Sequence, residues 1–366
     1  MSSPAPGFSR ILLEWFATHA RTLPWRNIDN PYHVLVSEII LQQTRVAQGM
    51  DYYHAFIERF PTVESLAEAP LDAVMKVWQG LGYYTRARNL HAAAKKIVSQ
   101  HGGQLPASYD ELLKLPGLGP YSAGAVASFA FHLPHPAIDG NVYRVLSRVF
   151  GVFDSPETSA AKKAFHNLCM EVMDTSQPHT FNQALLDFGA TQCVPGMPNC
   201  GPCPFRGLCY AEANGVQTAL PAKGRAMKMR QRFLHFFMIQ HHGKTFIELR
   251  QQKDIWHSLY QFPLVETAAR MEPEPLFASE AVRELLGHEY TLMHASEEKR
   301  QLLSHQELFV RFYIVRPKML TFHLIENYQA VPIEQVDSYQ MPVMMGNYLA
   351  AEDAAEYFYS PNDPHQ

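Results

Sequence analysis

From residue 8 to about 222, apolar side chains recur every three or four positions. "SLAEAPLDAVMKVWQ" (65–79), "NLHAAAKKIVSQH" (89–101) and "SAAKKAFHNLCMEVMD" (159–174) each carry this spacing, with Gly or Pro between segments, and it predicts amphipathic helices. Asn30 followed by Pro31 predicts a helix start, and the apolar pattern continues through residue 48. "SYDE" (108–111) predicts a capping box opening a short helix. Beyond residue 232 the pattern changes. "RFLHFFMIQ" (232–240), "KTFIELRQ" (244–251) and "LFVRFYIVR" (308–316) are rich in β-branched and aromatic residues and predict strands. "SEAVRELLG" (279–287) predicts a helix between the second and third of them. The expected fold class is multidomain: a mostly α unit followed by an α+β unit.

A length of 366 residues and 47% hydrophobic content suit two domains with ordinary cores. No apolar run approaches the roughly 20 residues that span a bilayer. "MSSPAPGFSR" has no basic segment followed by an apolar one, so the expectation is a soluble, cytoplasmic protein with no membrane partner. The net charge is −4, but residues 1–232 carry +4 and residues 233–366 carry −8. Lys223, Arg225, Lys228, Arg230 and Arg232 form one acid-free run. The asymmetry predicts a helical domain over 8–222, a basic linker over 223–232, an α+β domain over 233–350 and an acidic, frayed tail over 351–366.

All five cysteines fall between 169 and 209, and four of them, Cys193, Cys200, Cys203 and Cys209, have the spacing C-x6-C-x2-C-x5-C. Pro and Gly residues between them prevent a regular element. Four thiolates on a wrapped loop suit zinc or an iron–sulfur cluster, and the spacing alone leaves the metal open. Cys169 stands apart on a helix and reads as a core thiol. "LPGLGPYSAGAV" (115–126) is a helix, a tight turn and a second helix. Gly117 and Gly119 would let backbone amides approach a phosphate at the second helix's N-terminus, or would let two helices pack closely. "VWQGLGYYTRARNL" (77–90) repeats the arrangement weakly. Further on, "AIDGNVYRVLSR" places Asp139 before a new helix, either as its cap or as a carboxylate at a cleft.

These three motifs in this order resemble the endonuclease III superfamily of DNA glycosylases. The resemblance covers 8 to about 222, with the helix–hairpin–helix at about 108–130. It implies a [4Fe-4S] cluster on the loop 193–209. Bifunctional relatives carry a lysine where Tyr121 stands, so the resemblance implies no Schiff base here. Glu38 lies among Val36, Ile39, Ile40 and Leu41. A helical Glu is commonly solvated, but an apolar setting would raise its pKa and keep it an acid. Glu38 with "LQQT" (41–44), together with "LPWR" (23–26), "GLGYY" (80–84) and "DGNV" (139–142), resembles MutY-type adenine DNA glycosylases. The C-terminal part is similar to their Nudix-related domain for 8-oxoguanine, with "WHSLYQFP" (256–263) as one shared segment. "AVRELLG" (281–287) lacks the paired glutamates of active Nudix hydrolases, which implies recognition rather than pyrophosphate hydrolysis.

The resemblance implies a monofunctional enzyme of base excision repair. It would act as a monomer on double-stranded DNA and remove adenine paired with 8-oxoguanine or guanine. Glu38 would be the acid to adenine N7. Asp139 would stabilise C1′ by charge or a transient covalent bond, and Tyr121 and Asn141 would orient both groups. Gln43 and Tyr83 would wedge into the duplex, with Leu81 nearby. Trp25, Arg26 and Gln183 would line the adenine pocket. Gly117, Gly119 and Arg206 would grip the backbone, while Ser304 and His305 read the opposite base. Leu303 stands where that loop ordinarily has Phe. The competing expectations are a bifunctional glycosylase, a non-enzymatic iron–sulfur protein that binds DNA, and a Nudix hydrolase with a helical appendage.

Overall fold

The computed structural model describes residues 7–26, 28, 30–222, 224, 229–252, 254–303, 305–351 and 357–358. The chain divides into two compact units, Met1–Ala226 and Met227–Gln366. The first is helical: α1 (Phe8–His19), α2 (Pro31–Leu41), α3 (Val46–Arg59), α4 (Val63–Glu68), α5 (Leu71–Val77), α6 (Thr85–His101), α7 (Tyr109–Leu113), α8 (Pro120–Phe131), α9 (Gly140–Phe150), α10 (Ser159–Val172), α11 (Pro178–Asp187), a π-helical turn (Phe188–Gln192) and α12 (Tyr210–Asn214).

Helix α2 is apolar nearly all round and packs against α3, α6 and α8, which is the setting such a helix requires. The Asn30 side chain accepts from the amides of Tyr32 (3.0 Å) and His33 (3.4 Å), with Pro31 at the first helical position. The helix expected over 31–48 instead ends at Leu41 and restarts as α3 at Val46. Gln43 between them has φ +54°, in the left-handed region, through which a right-handed helix cannot run. The capping box expected at "SYDE" is also absent. Ser108 is the cap residue of α7, but its side chain makes no capping bond, and Asp110 and Glu111 place negative charge in the first turn instead. The box forms at Thr62 and Ser65, at the start of α4.

The two helix–turn–helix pieces, α5–α6 and α7–α8, pack on each other at the second glycine turn. Gly117 has φ +83°, and a Cβ there would lie 2.7 Å from Cβ of Asn89 on α6. Gly119 is different: its backbone is extended, and nothing lies within 4 Å of where its Cβ would stand. The remaining core gathers Phe8, Leu12 and Trp15 of α1 with Val145 of α9, Phe165 of α10, Phe181 of α11 and Phe205. Cys169 is fully buried within it, while Cys193, Cys203 and Cys209 pack against it partly buried.

In the second unit β1 (Arg230–Ile239) runs parallel to β7 (Gln306–Pro317), and β4 (Leu264–Thr267) pairs with β1 on its other edge. Strands β5 (Tyr290–Ala295) and β6 (Lys299–Leu302) add antiparallel to β7. A second sheet holds β2 (Lys244–Leu249) between β3 (Tyr260–Gln261) and β8 (Gln329–Pro332). Helices α13 (Pro273–Phe277), α14 (Glu280–Leu286) and α15 (Phe322–Asn327), the 3-10 turn Ile333–Ser338 and α16 (Val343–Leu349) complete the unit. As a central strand, β1 serves two cores. Leu234, Phe236 and Met238 join Tyr348 of α16, whereas Phe237 and Ile239 join Leu276, Val282 and Leu324.

Two boundaries differ from expectation. Arg230 and Arg232 belong to β1 rather than to a linker, and Arg232 is buried, paired with Glu266 at 2.5 Å and Asp254 at 3.0 Å. Lys223, Arg225 and Lys228 lie outside the described residues. Phe358, expected in a frayed tail, is fully buried in the core that holds Leu234, and its neighbour Tyr357 accepts from Gln240 through its carbonyl at 2.9 Å; residues 352–356 and 359–366 are outside the described residues. Among the described residues no helix is long and apolar enough to cross a membrane.

Candidate active site

Helices α2, α8, α9 and α11 border a cavity of about 820 Å³, lined among others by Trp25, Arg26, Glu38, Tyr121, Asp139, Asn141 and Gln183. The sequence places these seven residues as much as 158 positions apart, and folding brings all of them to one space.

Glu38 is buried, and loss of solvent pushes its carboxyl up to about 7. The Tyr121 hydroxyl donates to it and partly opposes the rise, the Asp139 charge adds to it, and the Arg26 charge opposes it. Burial, followed by the charges of Glu38 and Asp139, raises Tyr121 well above the ordinary phenol range, so it remains a neutral donor. Asp139 unites its two expected readings. It caps α9, with Oδ1 accepting from the amides of Asn141 (2.8 Å) and Val142 (2.9 Å), and it also lines the cavity. Its Oδ2 accepts from Asn141 Nδ2 at 2.7 Å. Burial raises its carboxyl, while these hydrogen bonds and Arg144 work to keep the charge.

Several supporting residues carry no signal in the apolar pattern. Arg144, one turn along α9, donates to Asn141 Oδ1 (2.8 Å), to the Gly189 carbonyl (2.6 Å) and to the Cys193 carbonyl (2.8 Å). The cavity's carboxylate is thereby tied to the cysteine loop. Gly189 leaves room for this: a Cβ there would stand 2.6 Å from Cβ of Asn141. Asp187 is fully buried and receives Arg26 at 2.7 and 2.8 Å and Arg21 at 2.5 and 2.8 Å. Burial works against its charge, but the two guanidiniums outweigh this and hold it below the usual carboxylate range. Arg26 is thus fixed in the wall beside Trp25, whose ring sits edge-on to Tyr53 at 5.3 Å.

The four cysteines of the loop are free thiols around a second, smaller cavity with Arg148 and Arg206. Arg148 Nη1 donates to Cys193 Sγ at 3.4 Å and to the Val194 carbonyl at 2.8 Å, which places a cation beside the sulfurs. Among the described residues, no three His, Cys, Asp or Glu side chains are grouped to hold a metal ion. The four thiols nonetheless line one cavity beside the buried Arg148 guanidinium, and the chemistry of that donor set suits zinc or an iron–sulfur cluster.

Gln43 and Tyr83 are exposed, and both have positive φ, +54° and +48°. Leu81 is only 6% exposed, so the apolar side chain expected near the wedge belongs to the core. Gly119 caps α8 without a side-chain bond. Arg206 is exposed and stands 3.9 Å from Glu212. In the second unit His305 is exposed and its backbone carbonyl accepts from the Arg230 amide at 3.2 Å, and Ser304 lies outside the described residues. Leu303 packs partly buried against the core, while its neighbour Leu302 is 67% exposed.

Residues 36–171 match the HhH-GPD superfamily of base excision DNA repair proteins, and residues 235–351 match the NUDIX domain. A protein of Buchnera aphidicola subsp. Baizongia pistaciae named adenine DNA glycosylase is 38% identical over 262 residues, covering 70% of this chain and 73% of that one. The adenine DNA glycosylase of Rattus norvegicus is 42% identical over 226 residues, covering 58% of this chain and 44% of its own length. The chain thus spans less than half of the rat protein. Among solved structures, a thermostable thymine-DNA glycosylase aligns with a TM-score of 0.53 at 29% identity, over 57% of this chain and 95% of that one.

Proposed function

The chain belongs to the adenine DNA glycosylases, within the HhH-GPD superfamily, and we propose that it hydrolyses the bond between adenine N9 and deoxyribose C1′ in duplex DNA. The observation that carries this is Glu38. A carboxyl held at about 7 inside a cavity that also contains Asp139 supplies an acid and a carboxylate for one bond. Adenine is a poor leaving group until its ring is protonated, and its departure leaves a cationic sugar. The reaction therefore divides as glycoside hydrolysis does, with an acid on the base side and an anion on the sugar side.

In this reading Glu38 protonates adenine N7 and afterwards takes a proton from the incoming water. Asp139, held in place by Asn141 and the start of α9, faces C1′ as positive charge develops there. Tyr121 donates to Glu38 and orients it. Tyr121 stands where a nucleophilic lysine would be needed for strand cleavage, so the enzyme is monofunctional. Trp25, Arg26 and Gln183 receive the extruded base, and Asp187 fixes Arg26. Gln43 and Tyr83 fill the space it leaves in the stack. The N-terminus of α8 at Gly119, together with Arg206, takes the phosphates. Cys193, Cys200, Cys203 and Cys209 would hold a [4Fe-4S] cluster, which would cross-link the loop against the helical core and Arg148.

The finer substrate is adenine opposite 8-oxoguanine or guanine. Support comes from the Nudix-like unit, whose helix "AVRELLG" lacks the paired glutamates of hydrolysis, and in this reading Ser304 and His305 meet the opposite base, with the exposed Leu302 close by in sequence. The test is single-turnover adenine release from a duplex holding A opposite 8-oxoguanine, with a G·C duplex and free 8-oxo-dGTP as controls. Glu38→Gln should abolish release while duplex binding persists. Release by that variant near the wild-type rate would sink the acid assignment. Hydrolysis of 8-oxo-dGTP would favour the Nudix hydrolase instead.

A further inference from the structure

Two turns that carry exposed side chains meet on one buried cation. Arg86, on the first turn of α6, lies beneath both. The two N–H groups of its Nη1 are shared among the carbonyls of Ile39 (3.1 Å), Ile40 (2.7 Å) and Gln42 and the Thr44 Oγ1 (3.1 Å). Its Nη2 donates to the carbonyls of Gly82 (3.1 Å) and Leu81 (3.5 Å). The guanidinium carbon lies 5.4 Å from the Trp78 ring centroid and 5.5 Å from that of Tyr83. Arg86 therefore caps the C-terminus of the helix that carries Glu38 and binds the 42–44 turn to the 81–82 turn.

We infer that Arg86 is a positioning residue that fixes these two turns to each other, so that Gln43 and Tyr83 enter a base stack as one unit. The inference rests on the proposed glycosylase reading. Three observations lead to it. Gln43 and Tyr83 are the two residues of these turns with both a large exposed side chain and a left-handed backbone. A non-glycine residue persists in that region only where its surroundings hold it. The neighbours of Gln43 in its turn, Gln42 and Thr44, are polar, and both offer Arg86 an acceptor, while the Gln42 side chain donates to Ser122 at 2.9 Å. The guanidinium fork reaches carbonyls on both turns at once, in directions a single ammonium cannot match. Without it, each turn would have to be ordered during binding, and the two would not arrive together.

The test compares adenine release by the wild type, Arg86→Gln and Arg86→Lys in the full chain, on two duplexes. One holds the adenine opposite 8-oxoguanine; the other holds it opposite an abasic site, where no pair must be broken. If Arg86 positions the wedge, Arg86→Gln slows release from the paired duplex by about tenfold to a hundredfold. Release from the abasic duplex stays within about threefold of wild type, because extrusion there is easier. Fluorescence of 2-aminopurine at the target position, which reports unstacking, should fall in the same variant. Equal loss on both duplexes would overturn the inference and mark Arg86 as merely structural. Should Arg86→Gln fail to fold, Arg86→Lys keeps the charge but not the fork and is expected to show the same contrast; full activity in that variant on the paired duplex would overturn the inference as well. A wild-type protein that releases no adenine from either duplex would refute the glycosylase reading rather than the role of Arg86.

Discussion

At the residue scale, one carboxyl in the cavity answers to pH in two ways. Glu38 sits at about 7 rather than 4.5 because it is desolvated, so it is an acid below neutrality and an anion above it. Adenine release at subsaturating DNA should therefore fall about tenfold per pH unit above 7, and a profile flat to pH 9 would contradict the assignment. Stability carries the opposite sign for the charged form. The folded value lies above the unfolded one, so the stabilising contribution is whole below about 4.5 and is lost as the pH rises through about 7. The anion then costs the fold about 3 kcal/mol. In urea melts Glu38→Gln should gain on wild type as the pH rises from about 4.5 to about 7 and level off above that, and a gain that does not grow across this window would count against burial as the cause. Glu38 was legible because its neighbours in sequence are apolar. Arg144, Asp187 and Arg86 were not. Each is an ordinary polar residue in its own segment, and its meaning comes from partners up to 166 positions away.

At the element scale, the glycine turn separates into two halves with different purposes. Gly117 is bare because its φ of +83° and the nearby Asn89 require it. Gly119 meets nothing inside the protein. Gly117→Ala should therefore lower stability by about 1–3 kcal/mol, whatever happens to DNA. Gly119→Ala should leave the melting temperature unchanged and weaken duplex binding. A shared loss of melting temperature in both variants would merge the two roles. The sequence shows that the turn is special but not which glycine serves which neighbour, since Asn89 lies in a different helix. The break after α2 was hidden for a related reason. "ILQQTRVAQGM" keeps a helical rhythm, and the left-handed Gln43 is held by Arg86 from another element, not by its own propensity. The strands were easier to read, because β1 and β7 are apolar on both faces and announce a central position.

At the scale of the whole molecule, each unit owns its core. Calorimetry should resolve two transitions, and residues 1–226 and 227–366 expressed apart should each melt cooperatively. Cys203→Ser should lower the transition of the helical unit alone, because the loop packs against the core that holds Phe8 and Phe181. Movement of both transitions would show that the units are not independent. That same core has a history in time. Phe8 stacks on Phe205 at 4.9 Å, although the ribosome makes them almost two hundred residues apart. At about 5–20 residues per second, the first helix waits on the order of ten to forty seconds for its partner. Phe150 of α9 and Phe181 of α11 emerge sooner and touch the same ring, so the oily face of the first helix is covered in stages, and the cysteine loop is the last piece to close over it.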